Sequence, residues 1–149
     1  MKIVRIVSLF LPLIMLVLLP RALAAQQPAP LENFVARIAT LWSRADADAI
    51  VALAPADGRI LLDLAGDGPG EVQERHASAA LRRLFGEREN VSVRPRQVTI
   101  SGGAPVRGFG ELTWLSRPRG VSDNLSSIIY VGAVWEDGAW RLRELRVLR

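Results

Sequence analysis

Ser126–Leu148 reads SSIIYVGAVWEDGAWRLRELRVL, and the alternation of its apolar residues decides the fold. Asp137-Gly138 is a turn pair of the kind that closes a β-hairpin, because both residues tolerate positive φ. Before the turn, Ile128, Tyr130, Gly132 and Val134 fall on one face of an extended strand. Ile129, Val131, Ala133 and Trp135 fall on the other. A strand that is apolar on both faces must be covered on both. After the turn, Trp140 and Leu142 share one face, and Arg141 and Arg143 the other. The phase then slips, because Leu145 and Val147 are apolar where strict alternation predicts polar residues. A bulge near Arg143–Glu144 restores the apolar face inward and helps to bend the sheet. On that reading Arg141, Arg143, Arg146 and Arg149 form the wet edge of a structural strand, and not a basic tail.

Upstream of the hairpin the same signals predict strands over about Val91–Ser101 and Val106–Arg117, followed by Leu125–Trp135 and Ala139–Leu148. They are separated by SGGAP, RPRGVSDN and EDG, which are loop and turn chemistry. The N-terminal half has helical period. Leu31, Phe34, Val35, Ile38, Leu41 and Trp42 form one apolar stripe, with Glu32, Asn33, Arg37 and Thr40 opposite, and Pro30 suits the helix start. In RADADAIVALAP a second helix begins with Asp46 as N-cap, buries Ile50, Val51 and Leu53, and stops at Pro55. Arg59–Leu64 reads as a brief strand before the Gly-rich LAGDGPG. Ser78 is the expected cap of a third helix carrying Leu81, Leu84 and Phe85, and Gly86 its end. Helices placed before an antiparallel meander predict an α+β fold, with about three N-terminal helices packed on a strongly bent sheet.

The first residues set the expected address. MKIVR carries Lys2 and Arg5, an apolar run spans Ile6–Pro20, and RALAA follows. A positive segment, an apolar core of roughly 7–15 residues and an A-x-A ending make a secretory signal peptide. The run, broken by Pro12 and Pro20, falls short of the roughly 20 apolar residues of a spanning helix. Residues 1–24 are therefore expected to be the signal, cleaved after Ala24, with Ala25 as the next choice. Residues 25–30 are a flexible leader and residues 31–149 a single domain. The competing reading is an uncleaved N-terminal anchor, and with no cysteine in the chain a lipidated-cysteine anchor is excluded. The expected location is the bacterial periplasm or the medium, with no stable membrane span after cleavage. Losing Lys2, Arg5 and Arg21 lowers the 19 basic residues to 16, against 15 acidic ones. A net charge near +1 lacks the basic excess typical of nucleic-acid binding. The high isoelectric point reflects arginine, since Lys2 is the only lysine.

Three stretches, LWSRADADAIVALAP, HASAALRRLF and EDGAWRLRELRVL, together with the element order over residues 31–148, resemble the nuclear transport factor 2-like superfamily. Within it the chain is most similar to the bacterial exported group called domain of unknown function 4783. The resemblance implies a cone: a bent, mostly antiparallel sheet and helices enclosing a pocket, often in a homodimer formed through the sheet face. It implies no reaction, because such a fold hosts enzymes, binders and assembly adaptors alike.

Few residues carry chemistry. His76, the one histidine, has no second histidine or cysteine with which to build a catalytic or metal constellation. Ketosteroid isomerases of this fold use an aspartate base with tyrosine and a protonated acid. Here Asp63 or Asp48 with Tyr130 supply the residue types but cannot be matched to that pattern one by one. Gly66, Gly68 and Gly70 lack the lysine and Ser/Thr of a phosphate loop, and DADA lacks the carboxylate density of a calcium loop. No cofactor and no metal is expected, and no catalytic residue is assigned. Arg94, Arg96, Arg107, Arg117 and Arg119 alternate with Glu87, Glu89, Glu111 and Asp123, as on a solvated strand face; nucleic acid is not an expected partner. The leading expectation is a non-catalytic module that binds a small apolar ligand or an envelope protein. Its pocket candidates are Phe34, Ile38 and Trp42 on the first helix, facing Phe109, Trp114 and Tyr130 on the sheet. A small-molecule enzyme using Asp63, His76 or Tyr130 and a structural subunit of an envelope assembly are the alternatives.

Overall fold

Helix α1 (Leu31–Ser43) forms where the apolar stripe runs, and Leu31, Val35, Ile38 and Trp42 are wholly buried along it. The computed structural model describes residues 28–64 and 69–149. The proposed signal and its cleavage site lie outside them, as do Gly66 and Gly68 of the Gly-rich loop. Helix α2 (Ala47–Val51) starts at Asp46, whose carboxylate accepts a hydrogen bond from the Ala49 N–H at 3.1 Å. It is a single short helix, and Leu53 is buried just beyond it. Strand β1 (Arg59–Asp63) pairs antiparallel with a short strand β2 (Gly70–Gln73) that periodicity alone does not predict. Helix α3 (Glu74–Glu87) follows directly. It starts four residues ahead of the expected cap and continues past Gly86, because Gln73 occupies the N-cap position. Ser78 lies inside the helix, and its hydroxyl donates to Asp48. Among the described residues no helix is long and apolar enough to cross a membrane.

Strands β3 (Arg88–Gly102), β4 (Arg107–Pro118), β5 (Leu125–Glu136) and β6 (Ala139–Leu148) form the expected meander. The six strands lie in the order β2-β1-β6-β5-β4-β3. The sheet is mostly antiparallel, but β1 runs parallel to β6, pairing Leu61–Asp63 with Glu144–Arg146. The terminal hairpin turns on Asp137 (φ 50°) and Gly138 (φ 76°), both in the left-handed region that a two-residue hairpin turn requires. The bulge sits where the apolar phase slips. Gly132 pairs with Glu144 and Ala133 with Leu142, so Arg143 is the extra residue. Trp140, Leu142, Leu145 and Val147 are all buried as a result. Three further register shifts along β3 curve that edge strand around the helices.

Close approach of α1 to the sheet depends on a missing side chain. A Cβ built on Gly110 would stand 2.5 Å from Cγ2 of Val35, which is itself wholly buried. The segment just ahead of α1 is tied down as well, where Trp140 Nε1 donates to the Ala29 carbonyl at 2.6 Å. The Leu142 N–H donates to the Leu53 carbonyl at 2.7 Å, so the segment after α2 takes up the backbone donor next to the bulge.

Candidate functional site

The inner face of the sheet is filled by aromatic rings from the helices and from the sheet itself. Trp42 meets Phe85 and Trp114 edge to face, with centroids 5.1 and 5.2 Å apart. Asn90 locks this cluster, accepting from Trp114 Nε1 at 2.8 Å and donating from Nδ2 to the Trp42 carbonyl at 2.6 Å. The Trp42 indole N–H, wholly buried, has no acceptor among the described residues. Of the six pocket candidates, Phe34, Ile38, Trp42 and Trp114 lie here, buried against one another and their neighbours.

Phe109 and Tyr130 do not join them. Register and alternation place both on the outer face, where their rings pack at 5.6 Å. The reason is parity: Phe109 and Trp114 stand five residues apart on β4, and an odd interval with no bulge between them puts side chains on opposite faces. Gly132 lies opposite Phe109 on one side and Glu144 on the other, so the outer face is hollow beside the Phe109 ring. One hollow of about 280 Å³ is bounded by Arg107, Phe109, Gly132, Val134 and Glu144. A second of about 280 Å³ is bounded by Gln97, Thr99, Phe109, Glu111 and Tyr130. Burial, and then the negative charge of Glu144, raise the Tyr130 pKa, so its phenol remains a hydrogen-bond donor.

The other ionisable candidates are dispersed. His76 is exposed on α3, within the helix and not in the lead-in to it. Asp63 pairs across β1–β6 with Arg146, and Arg146 pairs across β5–β6 with Tyr130. Two strand spacings, roughly 9–10 Å, therefore separate the aspartate and tyrosine backbones. Asp48 is held at the surface between α2 and α3 by Ser78 and Arg82, in that order of effect, and both lower its carboxyl pKa. Among the described residues no group of three or more His, Cys, Asp or Glu side chains converges as a metal site.

One functional candidate has no counterpart among the sequence expectations. Arg88 opens β3, and its guanidinium carbon lies 3.9 Å from the Trp114 ring centroid. Its Nε donates to Ser116 Oγ at 2.9 Å and its Nη2 to Ser127 Oγ at 3.1 Å. Ser116 and Ser127 pair with inward-facing neighbours on β4 and β5, so Arg88 folds over the inner face at one end of the cone. Nothing local marks it in the sequence, where it stands as one arginine between Glu87 and Glu89.

No family model and no curated protein sequence matches the chain; the likeness lies in solved structures. A DUF4783 family protein from Bacteroides uniformis superposes with a TM-score of 0.62 at 7% identity, covering 75% of this chain and 93% of that one. Another from Bacteroides ovatus gives 0.59 at 11% identity, covering 74% and 89%. A ketosteroid isomerase-like protein from Erwinia carotovora atroseptica gives 0.61 at 14% identity, covering 78% and 90%. At these identities the shared property is the architecture. The chain thus has the cone-shaped α+β fold of the nuclear transport factor 2-like superfamily, the fold shared by DUF4783 family and ketosteroid isomerase-like proteins.

Proposed function

We propose that the chain is an exported, non-catalytic binding module that docks a protein on the outer face of its sheet, the partner being a second copy of itself. The observation that carries this reading is the Phe109–Tyr130 pair, half-buried, with a hollow on either side of Phe109. Strand β5 is apolar on both faces; Ile129, Val131 and Ala133 of the inner one lie in the core, whereas Ile128 and Tyr130 of the outer one are only partly buried. An aromatic anchor beside a recess, with a charged rim, has the anatomy of an interface centre. The rim also suits self-association. Arg107 and Arg146 stand among Glu111 and Glu144, and a two-fold contact brings each sign against the other. The dispersal of Asp63, His76 and Tyr130 favours binding over acid–base chemistry, and the N-terminal Lys2–Ala25 pattern supports export.

Light scattering after size exclusion tests the partner. The expected mass at micromolar concentration is twice that of the chain, and Phe109→Glu is expected to give a monomer with unchanged far-ultraviolet circular dichroism. A clean monomer of the unsubstituted protein at that concentration overturns the self-association.

A further inference from the structure

At the end of the cone where Arg88 sits, two guanidinium groups, those of Arg88 and Arg149, come close enough to repel, and among the described residues neither forms an ion pair. Arginine–carboxylate pairs form elsewhere in the molecule: Arg59 with Glu71, Arg82 with Asp48, Arg96 with Glu111, Arg143 with Asp57 and Arg146 with Glu144. Among the described residues Arg88 takes part in no such pair, although its side chain is partly buried against Trp114. The neighbouring charge is positive too. Arg149 continues the inward alternation of Leu145 and Val147, and the pairing of Ile128 with Leu148 brings it next to Ser127. Burial first, and then the charge of Arg149, lower the Arg88 pKa. A partly desolvated cation is costly unless an anion meets it.

The donor inventory indicates which anion. A guanidinium has five N–H donors, and Arg88 commits two, one from Nε and one from Nη2. Its end-on edge, formed by Nη1 and the second Nη2 hydrogen, is uncommitted among the described residues, and that fork matches the two oxygens of a carboxylate. The Ser127 hydroxyl accepts from Arg88, and among the described residues its own proton is donated to no acceptor. Beside these donors lie apolar groups exposed to solvent. Leu125, 37% exposed, pairs with Ser116 and so shares the inner face, and Val121, 48% exposed, sits in the loop between β4 and β5.

We propose that this mouth of the cone is a binding site for a small organic acid, its carboxylate held end-on by Arg88. Arg149 supplies a second positive charge, the Ser127 hydroxyl a further donor, and Leu125 with Val121 the contact for an apolar body. The site lies on the inner face and is independent of the outer-face docking.

The test is a titration of the full chain with hexanoate, followed by nuclear magnetic resonance at the Arg88 Nε–H and the Trp114 indole N–H. Saturable shifts with a dissociation constant of about millimolar are expected, since one charged fork and a short chain are engaged. Hexanamide, the same body without charge, is expected to bind about tenfold or more weakly, as is inorganic phosphate. Arg88→Lys keeps the charge but loses the fork, and is expected to cost about tenfold in hexanoate affinity. Arg149→Gln, an exposed change that should leave the melting temperature unaltered, is expected to cost about three- to tenfold. Absence of saturable shifts overturns the proposal, as does equal binding of hexanamide or phosphate. Hexanoate affinity unchanged in Arg149→Gln and Arg88→Lys overturns it as well. If Arg88→Lys does not fold, the ligand series and Arg149→Gln still decide. None of these changes touches Phe109 or Tyr130, so a failure here leaves the light-scattering result to stand separately.

Discussion

The indole N–H of Trp140 donates to the carbonyl of Ala29 across 2.6 Å, joining residues 111 positions apart. Trp140 also meets Trp135 edge to face at 5.4 Å, within the terminal hairpin. One side chain therefore packs the hairpin and holds the chain just ahead of α1.

Replacing Trp140 separates these roles. Trp140→Ala is expected to cost about 3–5 kcal/mol through the cavity it leaves, a large part of a typical stability of about 5–15 kcal/mol. Trp140→Phe keeps a ring but removes the N–H, and is expected to cost less, although it leaves the Ala29 carbonyl without this donor. Denaturant unfolding measures both. Equal stability of Trp140→Ala and the unsubstituted chain contradicts the buried strand.

Gly110 is expected to tolerate no methyl group. A Cβ there meets the buried Val35, and relief requires moving α1 off the sheet. Gly110→Ala should cost about 1–3 kcal/mol, as overpacking does. Thermal melts of this variant and of Gly86→Ala, where a Cβ meets nothing within 4 Å, provide the contrast.

The bulge predicts that the strand survives both substitution and deletion of its extra residue. Arg143→Ala loses a partly exposed ion pair with Asp57 and should cost at most about 1 kcal/mol. Deleting Arg143 removes the extra residue, so Trp140, Leu142, Leu145 and Val147 alternate strictly and all keep the inner face without a bulge. That protein is expected to keep a cooperative unfolding transition, read by circular dichroism, and loss of the transition contradicts Arg143 as the extra residue.

Acid should weaken the join between α2 and α3. The Asp48 carboxyl is held below its ordinary 3.8 by hydrogen bonds from Ser78 and then Arg82. A carboxylate favoured in the folded state stabilises it above the unfolded-chain value, and that contribution fades as pH falls through the folded value. Asp48→Asn is therefore expected to melt earlier than the unsubstituted chain at neutral pH. The difference should close well below pH 3.8. The pair is exposed, so the effect is modest. A difference independent of pH refutes the assignment.

Local signals in the sequence were enough for the hairpin, the Arg143 bulge, the α1 stripe and the Asp46 cap, since each is settled within a few neighbouring residues. Strand β2 was not legible, because GEVQ is short and polar and becomes a strand only by pairing with β1. The parallel β1–β6 contact joins distant segments that share no turn signal. The pocket candidates divide by the same logic. Trp114 and Phe109 were separable by counting, since five residues of strand reverse the face. Tyr130 was not, because β5 is apolar on both sides and only its place in the assembled core decides which is inner. Arg88 was hidden because its meaning lies in Ser116 and Ser127, 28 and 39 residues away.

Strand β6 stands between β1 and β5, near the middle of the sheet, although it is the last element of the domain in sequence. During synthesis the sheet therefore lacks its keystone until strand β6 emerges, and the β1–β2 pair has no third strand to join. A chain in that condition stays open to handling by chaperones or a translocation pore, and closes in one late step. Under the proposed export, in which a chain is threaded through a membrane before it folds, that delay would be an advantage written into the strand order.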